Sequence, residues 1–174
     1  MNITKVLSDE HQIILKVIDA MLKECTEIEN GKTLELDFFK KVIDFIKNYA
    51  DKFHHAKEED ILFKAMLENM EGLHCNPIPV MLYEHDEGRG FVKAMEQGIS
   101  ENNTTTIIEN ARGYGMLLRD HIYKEDNVLY PMAEEALSEQ KKAEVEVSYS
   151  KINLSQFLES DIDSFLDKLF EKVS

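Results

Sequence analysis

The sequence predicts an all-α fold, an antiparallel up-down four-helix bundle with an extra helical segment at its C-terminal end. Apolar residues recur at helical spacing through almost the whole chain. The 174 residues include only seven Gly, three Pro and no Trp, a composition typical of long helices rather than of a turn-rich β fold. Long helices joined by short loops pack as antiparallel neighbours around one core, and a chain of this length is sufficient to bury one.

Turn residues divide the helical pattern into four long segments. The predicted helices cover residues 8–28, 34–69, 79–100 and 105–136. Pro79 suits the first turn of the third helix, where a backbone N–H has no helical partner. The remaining residues, 137–174, form two shorter amphipathic stretches that are expected to pack across the outside of the bundle. We therefore expect a bundle over 1–136 and a helical extension over 137–174.

Charge and composition exclude several classes of partner. Acidic residues outnumber basic residues 34 to 20, for a net charge of −14. This excess argues against nucleic acid and against an anionic membrane surface, since both attract clustered Lys and Arg. No apolar run approaches the roughly 20 residues of a membrane span, and no signal peptide is recognisable. Cys25 and Cys75 are too few for a disulfide framework, so a cytoplasmic location is expected.

The two halves of the chain resemble each other at positions that carry chemistry. The Glu-His pair at residues 10–11 recurs at residues 84–85, and segment 54–63 matches segment 121–130. Each half supplies one lone histidine and one His-x-x-x-Glu motif. The six residues are His11, His54, Glu58, His85, His121 and Glu125.

Helical spacing predicts which of these side chains face the core. Residues four apart lie about 40° apart around an α-helix, so His54 and Glu58 can reach one ligand. Both fall within the apolar stripe of the second helix, as His121 and Glu125 do on the fourth. His55 lies roughly 100° further round and is expected to face solvent. We expect another histidine, at position 74, to be a loop residue.

The four core histidines are also predicted to share one height in the bundle. In two antiparallel helices, residues at the same height are about equally far in sequence from the connecting turn. The midpoint between His11 and His54 falls in the turn at residues 30–33, and the midpoint between His85 and His121 falls in the turn at 101–104. Four imidazoles and two carboxylates are costly to bury unless a cation binds them. Six donors exceed the four that one tetrahedral zinc accepts. They suit two divalent ions, each held by two histidines and bridged by both glutamates.

These motifs resemble the hemerythrin-like (HHE cation-binding) family, in which repeated His and His-x-x-x-Glu elements build a non-haem di-iron site in a four-helix bundle. The resemblance covers residues 7 to about 135. It implies two iron ions with an oxo or hydroxo bridge, with zinc or manganese as alternatives. It also implies a small diatomic ligand, O2 or NO, bound for sensing, storage or detoxification.

Two departures from oxygen-carrying hemerythrins point to a second interpretation. Those proteins have a fifth histidine where this chain has Arg89, and an aspartate where it has Glu125. Loss of the fifth histidine is expected to open a coordination position. The resulting pattern resembles bacterial di-iron proteins that repair iron–sulfur clusters. The alternatives are therefore an iron donor or enzyme in such repair, an NO or peroxide reductase, and a structural zinc or manganese module.

Two further residues are expected near the metal pair. Arg89 could steady a bound anion or pair with Glu58 or Glu125, and its other interpretation is a surface group paired with a nearby carboxylate. Tyr114 lies on the face of the fourth helix that carries His121. It is either a hydrogen-bond donor behind the metal ligands or a residue of the packed core.

Overall fold

The structure, a computed structural model, describes residues 2–69, 75–156 and 162–170. Within these ranges it contains six helices and no strand. The prediction of an all-α bundle is therefore confirmed. The described helices include no segment that is both long and apolar enough to cross a membrane.

Four long helices form the bundle and two shorter ones follow them. In chain order they are α1 (Lys5–Glu29), α2 (36–67), α3 (Ile78–Ser100), α4 (104–136), α5 (Glu139–Tyr149) and α6 (Ile162–Phe170). Helix α1 packs against α2 and α4, and α3 does the same, so the four long helices close into a ring.

Helix α1 begins earlier than predicted. Its first residue is Lys5 rather than Ser8, because the side-chain oxygen of Asn2 accepts a hydrogen bond from the backbone N–H of Lys5. Ser8 lies inside the helix, and its hydroxyl donates to the Asp126 carboxylate on α4. The start of α1 is thereby joined to the helix that carries the second His-x-x-x-Glu motif.

Helices α2 and α4 each change from α to π geometry beside their site residues. Their π-helical segments are Ile46–His55, Glu58–Leu62 and Glu125–Leu129. A π turn contains more residues than an α turn, and this changes the direction in which the following side chains point. Single π turns occur preferentially at functional sites, and all three segments here contain or adjoin a predicted ligand.

The four core histidines lie in one layer, which divides the apolar core into two clusters. We call this the histidine layer; it is formed by His11, His54, His85 and His121. Along α1, His11 lies between Leu7 of one cluster and Ile14 of the other. Along α4, Glu125 lies between Ile122 and Leu129 in the same way. Apolar packing on both sides supports the polar side chains of the layer from above and below.

The C-terminal helices contact both clusters. Val145 and Tyr149 of α5 belong to the cluster that contains Leu7. Phe165 of α6 stacks on Phe45 of α2, with ring centroids 5.3 Å apart, on the other side of the histidine layer. The division of the chain at residue 136 stays a prediction.

Candidate metal centre

The structure brings all six predicted ligands together in the middle of the bundle. Each is at most 2% exposed. Nε2 of His85 and Nε2 of His121 lie 2.9 Å apart. Glu125 lies between the two halves, with Oε2 at 3.3 Å from Nε2 of His11 and Oε1 at 3.1 Å from Nε2 of His121. Glu58 completes the group, its Oε2 lying 3.7 Å from Nε2 of His54 and 3.5 Å from Nε2 of His85.

A ring of carboxylates lies behind these histidines. In each case Nδ1 faces one carboxylate oxygen, at 2.7 to 3.0 Å. The pairs are His11 with Asp126, His54 with Glu10, His85 with Glu59 and His121 with Glu84. A carboxylate at Nδ1 assigns the proton to that nitrogen and leaves the Nε2 lone pair facing inward, which is the tautomer that binds a metal.

The carboxylates of this outer ring occur at equivalent positions in the two halves of the chain, as the ligands do. The sequence analysis missed their role. Lys57 donates to the second carboxylate oxygen of Glu10, and Lys124 does the same for Glu84. The signal was present in the sequence, since a glutamate directly precedes each lone histidine and an acidic residue directly follows each ligand glutamate. Only the fold shows that these neighbours orient histidines on other helices.

Three oxygens at the centre lack a hydrogen-bond donor of suitable geometry among the described residues. They are Oε2 of Glu58 and both side-chain oxygens of Glu125. Native proteins pair almost all buried polar groups, so orphaned carboxylate oxygens beside inward-facing imidazoles indicate a bound cation. The donor set therefore fits a metal, and its mixture of imidazole and carboxylate suits iron, zinc or manganese.

The charges in the centre are strongly coupled. Burial and the neighbouring Glu125 raise the pKa of Glu58 well above its ordinary value. Although burial opposes the shift, His121 and His11 hold the pKa of Glu125 well below its ordinary value. Burial lowers the pKa of His11, but the carboxylates of Asp126 and Glu125 outweigh burial and raise this pKa to about 9. Without a cation, protons balance the buried carboxylates, and metal ions would displace them.

The prediction for His55 is wrong. The residue is buried, its ring stacks on His85 with centroids 3.7 Å apart, and its Nδ1 lies 3.4 Å from Oδ1 of Asp51. The prediction assumed α-helical spacing, whereas His55 ends the π-helical segment Ile46–His55. One ring nitrogen from each of His55, His85 and His121 lies within 4.8 Å of the others. The other predicted loop histidine, at position 74, lies outside the described residues.

A cavity of about 370 Å³ adjoins the second pair of histidines. It lies between α2, α3 and α4, and its inner end is formed by His55, His85 and His121. Tyr114 lines its wall next to Gly88, and the tyrosine is buried. The structure thus places Tyr114 in the cavity wall and in the packed core, and its role as a hydrogen-bond donor behind the metal ligands stays a prediction.

Arg89 lies at the edge of the same cavity and is 38% exposed. Its guanidinium donates to Oδ1 of Asp51 at 2.8 Å and to Oε1 of Glu59 at 2.7 Å, and it also pairs with Asp86. These carboxylates include the partners of His55 and His85. Arg89 therefore contacts the outer ring of carboxylates rather than the glutamates of the centre.

Tyr130 is a further residue that the sequence analysis missed. Its hydroxyl donates to Oε1 of Glu58 at 2.5 Å and lies 3.3 Å from Nε2 of His11. Tyr130 reaches these atoms from the turn of α4 that follows Glu125, across the bundle from Glu58. An apolar stripe gives no indication of such a contact.

Fold and site together define a helical-bundle metal-binding protein with a repeated histidine and glutamate donor set. The model of the Hemerythrin HHE cation binding domain matches residues 2–133, and the chain belongs to this family. It is therefore a hemerythrin-like protein with a metal site, for which iron is the typical metal.

Curated relatives are similar in sequence to part of this chain. Iron-sulfur cluster repair protein YtfE of Escherichia coli O139:H28 (strain E24377A / ETEC) is 33% identical over 90 residues, covering 46% of this chain and 40% of the relative. The protein of the same name from Shigella boydii serotype 18 (strain CDC 3083-94 / BS512) matches with the same identity and coverage. The similarity thus spans less than half the length of the relatives.

Proposed function

We propose that the protein holds two iron ions in the histidine layer and binds a small diatomic molecule, O2 or NO, at one of them. The first metal position is defined by His11 and His54, and the second by His85 and His121. Glu58 and Glu125 serve both. Iron in this setting supplies an ion that changes oxidation state and takes an exogenous ligand.

The observation that carries the proposal is the match between orphaned oxygens and oriented imidazoles. Oε2 of Glu125 lies near Nε2 of His11 and Oε1 lies near Nε2 of His121, which supports a carboxylate that would bridge two ions. Each of the four histidines presents Nε2 to the centre because a carboxylate binds its Nδ1. A packed core would not require this arrangement at four equivalent places.

Among the described residues, a cavity lies beside the second position. The cavity adjoins His85 and His121 and does not reach His11 or His54. Gly88 lies beside the cavity, whereas Ile14, the residue at the matching place in the repeat, is buried in the apolar core. Water occupies about 30 Å³ in the liquid, so a cavity of about 370 Å³ accommodates a diatomic molecule with room to move. We therefore assign ligand binding to the second metal position.

A role in iron–sulfur cluster repair is the alternative that the relatives favour. Their name describes repair of such clusters, and the similarity to this chain is 33% identity over 90 residues. An iron donor must release its metal, and the cavity would provide the second position with a path to the surface. In this alternative the second iron leaves, whereas in the leading proposal both ions stay.

Anaerobic spectroscopy separates these functions. The purified protein is loaded with Fe(II), its iron content is measured, and its absorption is followed on exposure to O2 or NO. Two ions per chain and a reversible spectral change are expected for ligand carriage. Irreversible oxidation with turnover of NO or peroxide supports an enzyme, and transfer of one iron to a cluster-free acceptor protein supports a donor. A protein that takes up no iron would contradict all three.

A further inference from the structure

The hydroxyl of Tyr130 lies among the proposed ligands of the first metal position. The residue is 2% exposed. Its two polar neighbours, Oε1 of Glu58 at 2.5 Å and Nε2 of His11 at 3.3 Å, both belong to that ligand set. For comparison, Nε2 of His11 lies 3.3 Å from Oε2 of Glu125, another member of the set. The phenol oxygen is therefore as far from Nε2 of His11 as that nitrogen is from Oε2 of Glu125, while its shorter distance to Glu58 is that of a hydrogen bond.

The 3.3 Å between the phenol oxygen and Nε2 of His11 is close to the separation expected of two atoms that share a metal ion. Metal–ligand bonds of about 2.0 to 2.2 Å place neighbouring donor atoms roughly 3 Å apart. Among the buried tyrosines that the structure describes, Tyr130 alone has a hydroxyl in contact with a predicted ligand. A phenol oxygen is a chemically suitable donor, because tyrosine binds iron in other proteins.

The other half of the repeat provides an internal comparison. Phe63 occupies the matching place and packs against His85, with centroids 6.1 Å apart and an interplanar angle of 18°. Tyr130 packs against His11 in nearly the same way, at 5.5 Å and 9°. Core packing needs only an aromatic ring at each place, so the hydroxyl of Tyr130 is the feature that packing leaves unexplained.

We propose that Tyr130 is a further metal ligand and binds iron(III) at the first metal position. The inference rests on the proposed di-iron function. On binding, the O–H bond of the phenol breaks and an oxygen–iron bond forms, while the proton now shared with Glu58 leaves to solvent. The first position thereby gains a phenolate donor, whereas the second has Phe63 at the matching place. This difference agrees with the place of the cavity, which adjoins only the second position.

The experiment uses the colour of iron(III) phenolate. The full chain is loaded anaerobically with Fe(II), oxidised with ferricyanide and desalted, and its iron content is measured. We expect a phenolate-to-iron(III) charge-transfer band in the visible range, with tyrosinate vibrations enhanced in the resonance Raman spectrum. Tyr130→Phe is expected to lose both signals while keeping two iron ions per chain.

The matched control is Tyr149→Phe. Tyr149 is buried in the same apolar cluster, and its hydroxyl has no hydrogen-bond partner among the described residues. This variant should keep the band at full intensity.

Three results would overturn the assignment of Tyr130 as a ligand. They are a wild-type protein with two iron(III) ions and no such band, a band that persists in Tyr130→Phe, and a band that disappears in Tyr149→Phe. If the wild type shows no band and Tyr130→Phe loses iron, then Tyr130 is not a ligand and its role is to hold Glu58 in place. A wild type that binds fewer than two ions would instead contradict the proposed function, and the iron content reports this separately.

Discussion

The two proposed metal positions have the same arrangement of histidines and carboxylates and differ in their immediate surroundings. We call this shared arrangement the frame. At both, a histidine from an odd-numbered helix and a histidine from the next helix are held by carboxylates at Nδ1. Around the first position lie Tyr130 and the buried Ile14. Around the second lie Phe63, His55 and the cavity beside Gly88.

This comparison separates the residues that hold metal from those that decide where a ligand binds. The frame is present twice, so it is expected to make two similar metal positions. Tyr130 and the aliphatic side chain of Ile14 fill the space around the first position. The second position adjoins the cavity. Substitution of the glutamates that serve both positions should therefore affect both, and substitution of a residue that contacts one position should affect that position.

The largest effect is expected from the shared glutamates. Replacing Glu58 and Glu125 together by Gln removes both carboxylate charges that are proposed to bridge the ions, and it should abolish binding of two ions per chain, as measured by metal analysis. The increase in the free energy of unfolding that bound metal gives should be lost as well. A ligand at 100 times its Kd stabilises the folded state by about 2.7 kcal/mol. Glu24→Gln is the control, because Glu24 is a buried carboxylate paired with Lys32 away from the site. Full metal content in the double variant would contradict the ligand assignment.

The carboxylates behind the histidines give a more selective test of the comparison. Glu10→Gln and Glu84→Gln should each weaken metal binding by about 10- to 100-fold, because each removes the charge that orients one imidazole. Their effects on metal-free stability should differ. Lys57, the partner of Glu10, is 4% exposed, whereas Lys124, the partner of Glu84, is 39% exposed.

We therefore expect Glu10→Gln to lower the free energy of unfolding by about 3 kcal/mol, since it leaves a buried charge unpaired. Glu84→Gln should cost about 1 kcal/mol or less. Urea denaturation of the metal-free variants measures both values. Equal losses would mean that the two halves of the frame are equally solvated.

Filling the cavity should affect only ligand binding. A Cβ added at Gly88 lies 3.4 Å from the ring of Tyr114, an ordinary contact, so Gly88→Leu is expected to fold and to extend into the cavity. We expect the rate of O2 or NO binding to fall about tenfold, equivalent to about 1.4 kcal/mol of barrier, with iron content unchanged. Stopped-flow absorption measures it.

The control for this substitution is Gly90→Leu on the same helix. A Cβ at Gly90 meets nothing within 4 Å, so this variant should bind the ligand at the wild-type rate. Unchanged kinetics in Gly88→Leu would show that the ligand reaches the metal by another route.

The smallest effect is expected from Arg89. Its ion pairs are partly exposed, and such pairs contribute about 1 kcal/mol or less. Arg89→Gln should therefore change the free energy of unfolding by less than about 1 kcal/mol and leave iron content at the wild-type value. A large loss of metal from the second position, measured by metal analysis, would show that the hold of Arg89 on Glu59 is needed to orient His85.

The bundle and the placement of the six predicted ligands could be predicted because their signals are local and doubled. Helical spacing places His54 and Glu58 on one face, and the internal repeat marks the same pattern a second time. His55 could not be predicted in this way. The α-helical period directs it to solvent, while the π-helical geometry of α2 turns it inward beside His85.

The sequence by itself determined the helices, the antiparallel order and the donor types, because periodicity and motif spacing act over a few residues. Tertiary structure alone decided which carboxylate holds which histidine, that Tyr130 meets Glu58, and that space remains beside Gly88. These features depend on contacts between helices that are far apart in the chain. Their geometry follows from how whole helix faces pack, and no local pattern encodes it.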